Sequence, residues 1–451
     1  MRLKIRLYSI LAASGVMALA GCRGVQTPGE KQARHDFSAI AGQYRPGNQR
    51  PELPELTPES SLSNFLSYAL LNSPAVEASF YDWSASVENI TVTRSLPDPQ
   101  LTFQAYIQDV VTSLMPGFAW SFPGPGKLKA RARVAAAESQ GKYFAFESAA
   151  LQTAFNLKSA YYKVGLLDEQ LRLQRETLAL LENQERVVRA QNAAGTAALS
   201  DLLRVQSERD RIRTELANLE DSQSSLLANF KAALGLTPQQ SDPPLPAHFE
   251  TSSENPDADE LLRVAFERNP QLAAMAADVR AAEAGIAVAY KERVPDFNAA
   301  LMADVKASPV LYWPQLSMSL PIWRDKLVAE VAQAKANELS AKSRLKAGQI
   351  DLAVNFAEKT FAYRETSRNL MLLETELIPK ASQSLETIRA GYHAGTMDFS
   401  AMTEAEQMVL DLRLEAAEAQ TDRQIALADL SLMVAGIAPA NAPILSNRPH
   451  P

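Results

Sequence analysis

Cysteine and histidine are scarce in this chain of 451 residues. It contains one cysteine and four histidines, so disulfide bonds within the chain are excluded. The histidines are far apart and have no cysteine partners, which argues against a conventional zinc site. We therefore predict no metal site and no cofactor. The histidines are His35, His248, His393 and His450.

Catalytic motifs are also missing. The sequence contains no Gly-x-Ser-x-Gly elbow, no His-Glu-x-x-His pair and no phosphate-binding P-loop. The formal net charge is −7, which does not favour nucleic acid as a partner. We therefore predict that the protein is not an enzyme, that it has no catalytic residues and that it does not bind nucleic acid.

Long apolar runs are restricted to the N-terminus. Arg2, Lys4 and Arg6 precede an apolar stretch that ends at Leu-Ala-Gly-Cys, residues 19–22. This pattern predicts a secretory signal peptide over residues 1–21, because the apolar stretch is too short for a permanent transmembrane helix. No later segment has 18 consecutive apolar residues. Any membrane crossing is therefore expected to be made by strands.

Residues 19–22 resemble the bacterial lipobox, which implies that cleavage leaves Cys22 as a lipid-modified, palmitoylated N-terminus. The only cysteine of the chain stands where such an anchor needs it. Arg23 follows in place of aspartate, and the resemblance then implies sorting to the outer membrane. The alternative is an accidental cysteine beside an ordinary cleavage site. Residues 22–59 are polar and rich in proline and glycine, so we predict a tether there.

The rest of the chain is a tandem duplication. Pro97-Asp98 returns as Pro295-Asp296 after 198 residues, and the Ala-Gly-Thr of 194–196 returns at 394–396 after 200 residues. Such a slow drift is typical of two repeats with small insertions. We predict a first repeat at 60–239, a linker at 240–256, a second repeat at 257–440 and a tail at 441–451.

Long helices are predicted in both repeats. Residues 127–237 contain no proline, and their apolar residues recur every seven positions, which favours left-handed coiled-coil packing. Gly195 is the expected helix break, with Thr196 or Ser200 as the next N-cap. The heptad positions are Leu166, Leu173, Leu180, Val187, Val205, Ile212, Leu219 and Leu226. The predicted helices cover about 60–94, 127–190, 197–236, 258–294, 326–390 and 398–434.

Four short stretches alternate with a period of two. They cover 101–108, 117–122, 297–305 and 312–320, and each has large apolar residues on one face and small or polar residues on the other. This alternation fits strands between lipid and water, and it also fits strands that cover a soluble core. Four strands are too few to close a barrel, so membrane insertion would require several identical chains.

Together these features resemble the outer-membrane efflux protein family, the TolC-like channels, over about residues 60–440. The most specific motifs are Ser-Phe-Pro at 121–123 with Gly-Pro-Gly-Lys at 124–127, and the two Ala-Gly-Thr turns. The resemblance implies a mainly α fold with a small β part. Long coiled-coil helices and four transmembrane strands per chain would form a trimeric α/β barrel channel, placed in the cell outer membrane and extending into the periplasm.

The family also implies partners and site residues. Besides outer-membrane lipid and two further copies of the chain, they are a periplasmic membrane-fusion adaptor and an inner-membrane pump, expected to be of the resistance-nodulation-division type. The adaptor would dock at the two turns. The family often places acidic residues below the second turn, where they constrict the pore, and Asp201 holds a comparable position after the first turn. The docking residues are Ala194, Gly195, Thr196, Ala394, Gly395 and Thr396, and the constricting residues are Asp201 and Glu404. For Glu404, a solvated helix face is the alternative.

The substrate stays open between metal cations and drugs or other small molecules. Met397, Met402 and Met408 near the second turn suit soft metal ions, but methionines at helical spacing serve packing more often. Two further alternatives to the channel are a lipid-anchored periplasmic coiled-coil adaptor and a structural envelope protein without a pore. Adaptors usually have one central hairpin with β-rich flanks, whereas this chain has two hairpins in tandem.

Overall fold

A computed structural model describes residues 26–107, 111–251 and 258–434. The signal peptide, Cys22 and the predicted tail at 441–451 lie outside the described residues. Within the described ranges, no helix combines the length and the hydropathy needed to cross a lipid bilayer.

The helices and strands follow one order in both repeats. Helix α1 (Pro28–Tyr44) and a 3₁₀ turn (Pro46–Asn48) come first, within the segment expected as a tether. The first repeat has α2 (Leu62–Asn72), α3 (Pro74–Arg94), β1 (Gln100–Ile107), β2 (Val111–Phe122), α4 (Lys127–Ala193) and α5 (Leu199–Ala233). The second has α6 (Ala258–Arg268), α7 (Pro270–Lys291), β3 (Phe297–Asp304), β4 (Leu311–Met318), α8 (Arg324–Leu372), a π-turn (Leu373–Leu377), α9 (Ile378–His393) and α10 (Phe399–Met433).

The opening helix of each repeat is broken at a proline, where the sequence predicted one continuous helix. The residue before proline is disfavoured in the α conformation, and Ser73 accordingly adopts φ −65° and ψ 119°. Its hydroxyl accepts a hydrogen bond from the Val76 amide at 3.4 Å. Asn269 does the same before Pro270, accepting from the Leu272 amide at 3.1 Å. Each break is therefore also the N-cap of the following helix.

The second long helix contains a π-turn that the first lacks. Lys127-Leu128 and Lys326-Leu327 are 199 residues apart, whereas the two turn glycines, Gly195 and Gly395, are 200 apart. One residue is therefore inserted between these points in the second repeat. A π-turn takes up a single extra residue without changing the phase of the flanking helix, and Leu373–Leu377 is such a turn. It lies directly before Pro379, near the start of α9.

The four strands form one antiparallel sheet in the order β1-β2-β3-β4. Phe118 pairs with Leu101 on one side and with Leu301 on the other, so the large apolar residues of neighbouring strands share a face. Ser121 pairs with Asn298, which pairs with Ser317, on the opposite face. The predicted strands and their alternation are thus confirmed.

The described residues fall into two compact units, each with its own core. The first comprises the described residues up to Ile40, Tyr81–Tyr143 and Ala274–Lys346. It contains the sheet, and Trp83 packs at 5.0 Å against the ring of Phe37 and at 5.0 Å against that of Tyr143. The second comprises Ala41–Phe80, the described part of Phe144–Ala273 and the described residues from Ala347 onward. One of its buried clusters contains Phe65, Leu157, Tyr161, Phe230 and Leu234.

The seven-residue spacing of the coiled coil is confirmed. On α4 the predicted Leu173 is buried, but beyond it the predicted phase is displaced by one residue. Leu180 and Val187 were expected in the seam and are exposed, whereas their neighbours Leu181 and Val188 are buried. On the returning helix α5 the predicted Val205 and Ile212 are fully buried. These buried residues form a second cluster with Phe399 and Met402 of the other hairpin.

Candidate functional site

The sheet has one face made almost entirely of large apolar side chains, and that face is exposed. Phe103 is 68% exposed, Tyr312 69% and Leu316 79%. Soluble monomers rarely leave contiguous apolar area of this size in water, so such a face is expected to meet a lipid or protein surface. The other exposed residues of this face are Leu101, Ile107, Leu114, Phe118, Trp120, Phe122, Phe297, Leu301, Met318 and Leu320.

The opposite face of the sheet is polar near the helices. Ser121 and Asn298 form a hydrogen bond across the β2–β3 pair. At the end of the same pair that is far from the helices, Ser113 donates to Asp304 at 2.7 Å. A concave region of about 340 Å³ adjoins the helix-proximal part of this face. Its lining includes Asp98, Gln100, Ser121, Asn298, Gln315 and Ser317.

Where strands meet helices, a buried lysine holds the two repeats together. The Lys127 side chain is only 3% exposed, and its ammonium lies 3.0 Å from Glu292 and 3.0 Å from Asp296. The Gly124 amide donates to the same Asp296 carboxylate at 2.7 Å. The Gly-Pro-Gly-Lys motif therefore supplies both an amide and an ammonium to one acid, which the sequence did not reveal.

The charges of this junction stabilise one another. Burial lowers the pKa of Lys127, but its hydrogen bonds to Glu292 and Asp296 outweigh burial and raise it above its usual value. Burial raises the pKa of Asp296, whereas the Gly124 amide and Lys127 bring it below the ordinary aspartate value. The carboxylate and ammonium forms are therefore the stable ones at neutral pH.

The two Ala-Gly-Thr turns have the same geometry. Gly195 has φ 76° and Gly395 has φ 73°, a left-handed conformation that disfavours residues with a Cβ. The Thr196 amide donates to the Gln191 carbonyl at 2.8 Å, and the Thr396 amide donates to the Gly391 carbonyl at 2.9 Å. These are the bonds of a Schellman C-cap, as predicted from the glycines.

Both turns are open to solvent. No atom lies within 4 Å of the position that a Cβ would occupy at Gly195 or at Gly395. The turns differ in how the next helix begins. Ala198 is the N-cap of α5 and makes no side-chain cap bond, so the prediction of Thr196 or Ser200 as the cap is wrong. Asp398 caps α10 by accepting from the Ala401 amide at 2.8 Å.

The two predicted pore acids have different surroundings. Glu404 is exposed and lies 3.5 Å from Arg204 of the first hairpin, and Ser400 donates to it at 3.1 Å. Asp201 has no ion-pair partner within the described part of the chain. The structure thus joins Glu404 to the other hairpin through Arg204, a residue that the sequence analysis missed.

A second link between the hairpins is more buried. Glu406 is largely buried and accepts from Arg389 at 3.1 Å and from Gln184 of α4. The nearby Met402 belongs to the buried cluster and is 7% exposed, whereas Met397 and Met408 are exposed. No group of three or more histidine, cysteine, aspartate or glutamate side chains suited to a metal ion occurs among the described residues.

Comparison with known proteins gives a family match over both repeats. The family model described as Outer membrane efflux protein matches residues 65–236 and 261–436. No curated protein matches the chain.

Solved structures show the same fold at low sequence identity. A membrane protein from Pseudomonas aeruginosa is 19% identical, with a TM-score of 0.73, over 85% of this chain and 92% of its own. The outer membrane protein VceC of Vibrio cholerae is 15% identical, with a TM-score of 0.69, over 83% and 96%. The MtrE outer membrane channel of Neisseria gonorrhoeae, in its open state, is 16% identical, with a TM-score of 0.72, over 86% and 97%.

Proposed function

The chain belongs to the outer membrane efflux protein family, and on this premise we propose that it is the outer-membrane channel of a tripartite efflux pump. It would conduct substrates passively from a periplasmic adaptor and an inner-membrane pump of the resistance-nodulation-division type to the exterior. The family match extends over both repeats, which favours the channel over a periplasmic adaptor with one hairpin. Substrate choice would reside in the pump.

One observation carries the proposal: the sheet has an exposed apolar face, an opposite face that is polar near the helices, and two free edges, β1 and β4. Open edges are unstable in lipid, where water cannot satisfy their backbone groups. A homotrimer removes every open edge if the four strands of each chain join those of its neighbours in one closed barrel. The polar face would then line water, and the apolar face would contact outer-membrane lipid.

We assign docking of the adaptor to the two Schellman turns. Each offers exposed backbone and open space at its glycine, so the hairpin of another protein can approach closely. Asp201 follows Gly195 by six residues and Glu404 follows Gly395 by nine, and both would contribute negative charge to the pore entrance. Cys22 would carry the covalent lipid, so the protein would be attached to the membrane both by this lipid and by its inserted strands.

Conductance across a planar lipid bilayer tests the proposal. Purified mature protein is expected to give stepwise single-channel currents, and Glu404→Gln together with Asp201→Asn is expected to lower cation selectivity. Lys335→Gln, an exposed change on α8, is the matched control and leaves selectivity unchanged. Protein that inserts without giving current steps would contradict a channel.

The docking assignment has its own test in cells. Gly195→Arg and Gly395→Arg are expected to abolish efflux while the amount of assembled protein stays normal, because bulky side chains occupy the open space at each turn. Gly285→Ala on α7, also a glycine with open space around it, is the control and keeps full efflux. Normal efflux by both arginine variants would refute docking at the turns.

A further inference from the structure

The two edge strands of the sheet are related to its central pair by the internal repeat. A shift of 198 residues converts β1 into β3 and β2 into β4. Within the chain, β2 pairs with β3. The repeat-equivalent pair is β4 with β1, and these strands are the opposite edges of one sheet, so they can pair only between two chains.

The register of that missing pair can be derived from the observed one. Ala119 pairs with Ala300, and Ser121 pairs with Asn298. Shifting each residue by 198 places Ser317 opposite Thr102 and Ser319 opposite Gln100 of a neighbouring copy. We propose that neighbouring copies of this chain join β4 to β1 in this register and that Lys326 of one copy forms an ion pair with Asp98 of the next.

Side-chain chemistry supports this register. Gln315 and Ser317 lie on one face of β4, and Ser319 continues this alternation just beyond the strand. In β1, Gln100, Thr102 and Gln104 share one face. The derived register places polar opposite polar and, on the other face, Met318 opposite Leu101. The hydrogen bond from Ser121 to the Asn298 amide group also has an equivalent, because Ser319 would face the amide of Gln100. A shift by one residue would place lipid-facing side chains against polar ones.

The charges at the junction support it independently. Lys127 corresponds to Lys326, and its partner Asp296 corresponds to Asp98. Lys127 is buried between two carboxylates, whereas the Lys326 side chain is 70% exposed and has only Glu330, at 3.7 Å, within the described part of the chain. Asp98 is exposed and makes no ion pair there. At one edge of the sheet the single chain therefore presents Asp98, which makes no ion pair within the described residues. At the other edge it presents Lys326, whose one ion pair there is the 3.7 Å contact with Glu330.

A second ion pair of the junction recurs in the repeat with its acidic and basic residues interchanged. Within the chain, Arg131 lies 2.9 Å from Glu292. The equivalent positions hold Glu330 and Arg94, with the signs reversed. Arg94 is committed to Glu30 at 2.5 Å within its own chain, which leaves Glu330 available as the second carboxylate of Lys326. Each lysine would thus have two acidic partners. Both partners of Lys127 lie across the β2–β3 pair, whereas Lys326 would have Glu330 on its own helix and Asp98 across the β4–β1 pair.

The inference rests on the proposed trimer, and disulfide cross-linking of the full-length mature protein tests it. Ser317→Cys with Thr102→Cys is expected to give covalent dimers and trimers on oxidation, because directly opposed antiparallel residues have the Cα separation that a disulfide needs. Ala119→Cys with Ala300→Cys is the matched control. These two residues are paired within one chain, so oxidation is expected to link them without giving an intermolecular product. Each single variant is expected to stay unlinked.

An off-register pair, Ser317→Cys with Gln104→Cys, distinguishes the derived register from a shift by two residues. Linking by this pair that equals or exceeds the Thr102 pair would overturn the inference. So would a protein that is trimeric in detergent but gives no product with the Thr102 pair. A protein that is monomeric in detergent would refute the proposed function itself.

The ion pair is tested by charge reversal. Lys326→Glu is expected to lower the yield of trimer recovered after dilution by about fivefold, the effect of about 1 kcal/mol at a partly exposed pair. Lys326→Glu combined with Asp98→Lys is expected to restore the yield. Lys335→Glu, an exposed lysine on the same helix, is the control. A double variant no better than Lys326→Glu alone would refute the pair.

Discussion

The long helices of the two repeats have the same hydrophobic stripe but different surroundings. Leu151, Tyr162 and Leu173 recur every eleven residues on α4 and are buried. Their equivalents on α8, 199 residues later, are Ile350, Phe361 and Leu372, and these are 65%, 59% and 49% exposed. An eleven-residue spacing keeps such residues in line along a helix. The duplication thus preserved the apolar stripe on both helices, but in this chain only the stripe of α4 is buried by neighbouring segments.

Segments outside the repeats account for part of the difference. Tyr162 belongs to a cluster against which Leu245 and Phe249 of the linker pack. The hydroxyl of the adjacent Tyr161 donates to the His248 carbonyl at 3.0 Å, and the Glu250 amide donates to that hydroxyl at 3.2 Å. Within the described residues, no linker of this kind lies over Phe361. Burial of a repeated helix therefore depends on which neighbouring segments the chain supplies.

The largest effect is expected from deleting one residue in each long helix. Deletion of Glu176 from α4 turns everything beyond it by about 100°, which removes Leu181 and Val188 from their buried cluster at about 2–5 kcal/mol each. Deletion of Thr375 removes the extra residue of the π-turn and leaves the phase of α9 unchanged. Thermal unfolding followed by circular dichroism is expected to lose its cooperative transition only for the Glu176 deletion. Equal melting of both variants would contradict the assignment of the π-turn as an absorbed insertion.

The next effect concerns helix α1, which packs on the first repeat. Glu30 is fully buried and bonds to Arg94, Thr91 and Arg34. Glu30→Ala removes the acidic partner at 2.5 Å from the largely buried Arg94 and one of the two acidic partners of Arg34, at about 3–5 kcal/mol. We expect hydrogen exchange of α1 amides to accelerate strongly. Glu88→Ala, which removes a mostly exposed partner of Arg34, is the control and is expected to cost less than about 1 kcal/mol. Unchanged exchange in α1 after Glu30→Ala would show that this ion pair does not hold the helix.

A smaller effect is expected where the linker covers the first repeat. A Cβ at Gly165 would lie 2.8 Å from the Phe249 ring, so Gly165→Ala forces the linker outward at about 1–3 kcal/mol. Gly285→Ala, in open space on a helix of the second repeat, is expected to stabilise by about 1 kcal/mol. Limited proteolysis would detect faster cleavage at 240–250 in the first variant only. Slow cleavage in both variants would mean that the packing of the linker through Phe249 does not require a glycine at position 165.

The smallest effect is expected from acid. The pKa values of Asp296 and Glu292 are lowered, so their contribution to stability is present above their ordinary values and is lost as pH falls through the lowered ones. Acidification from about pH 5 to about pH 3 is therefore expected to lower the melting temperature, by about a few degrees. Lys127→Met should flatten this dependence, and Lys335→Met should leave it intact. The same pH dependence of the melting temperature in both variants would show that Lys127 does not stabilise the charged carboxylates of Asp296 and Glu292.

The sequence predicted the strands, the turns and the repeat, because each depends on a local pattern. The turn glycines Gly195 and Gly395 need no distant partner to form a C-cap, and the alternation around Phe103 and Leu316 follows from the geometry of a strand. The phase of the coiled coil was missed by one residue at Leu180, since the side of α4 that is buried depends on which helices pack against it.

Distant partners could not be predicted. Glu30 and Arg94 are 64 residues apart, and Arg204 and Glu404 are 200 apart. Nothing in a single sequence links such positions before the fold is known. The Lys127–Asp296 pair had one available signal, the recurrence of Pro-Asp in both repeats, which marked both acids as structurally equivalent but did not identify their partners.

The central claim is that identical chains must share their strands, and the mass of the detergent-solubilised mature protein tests it most directly. Native mass spectrometry is expected to show three copies, and this state should persist in Cys22→Ala, because the strands hold the assembly independently of the lipid. A stable folded single chain that stays in solution without detergent would contradict the account.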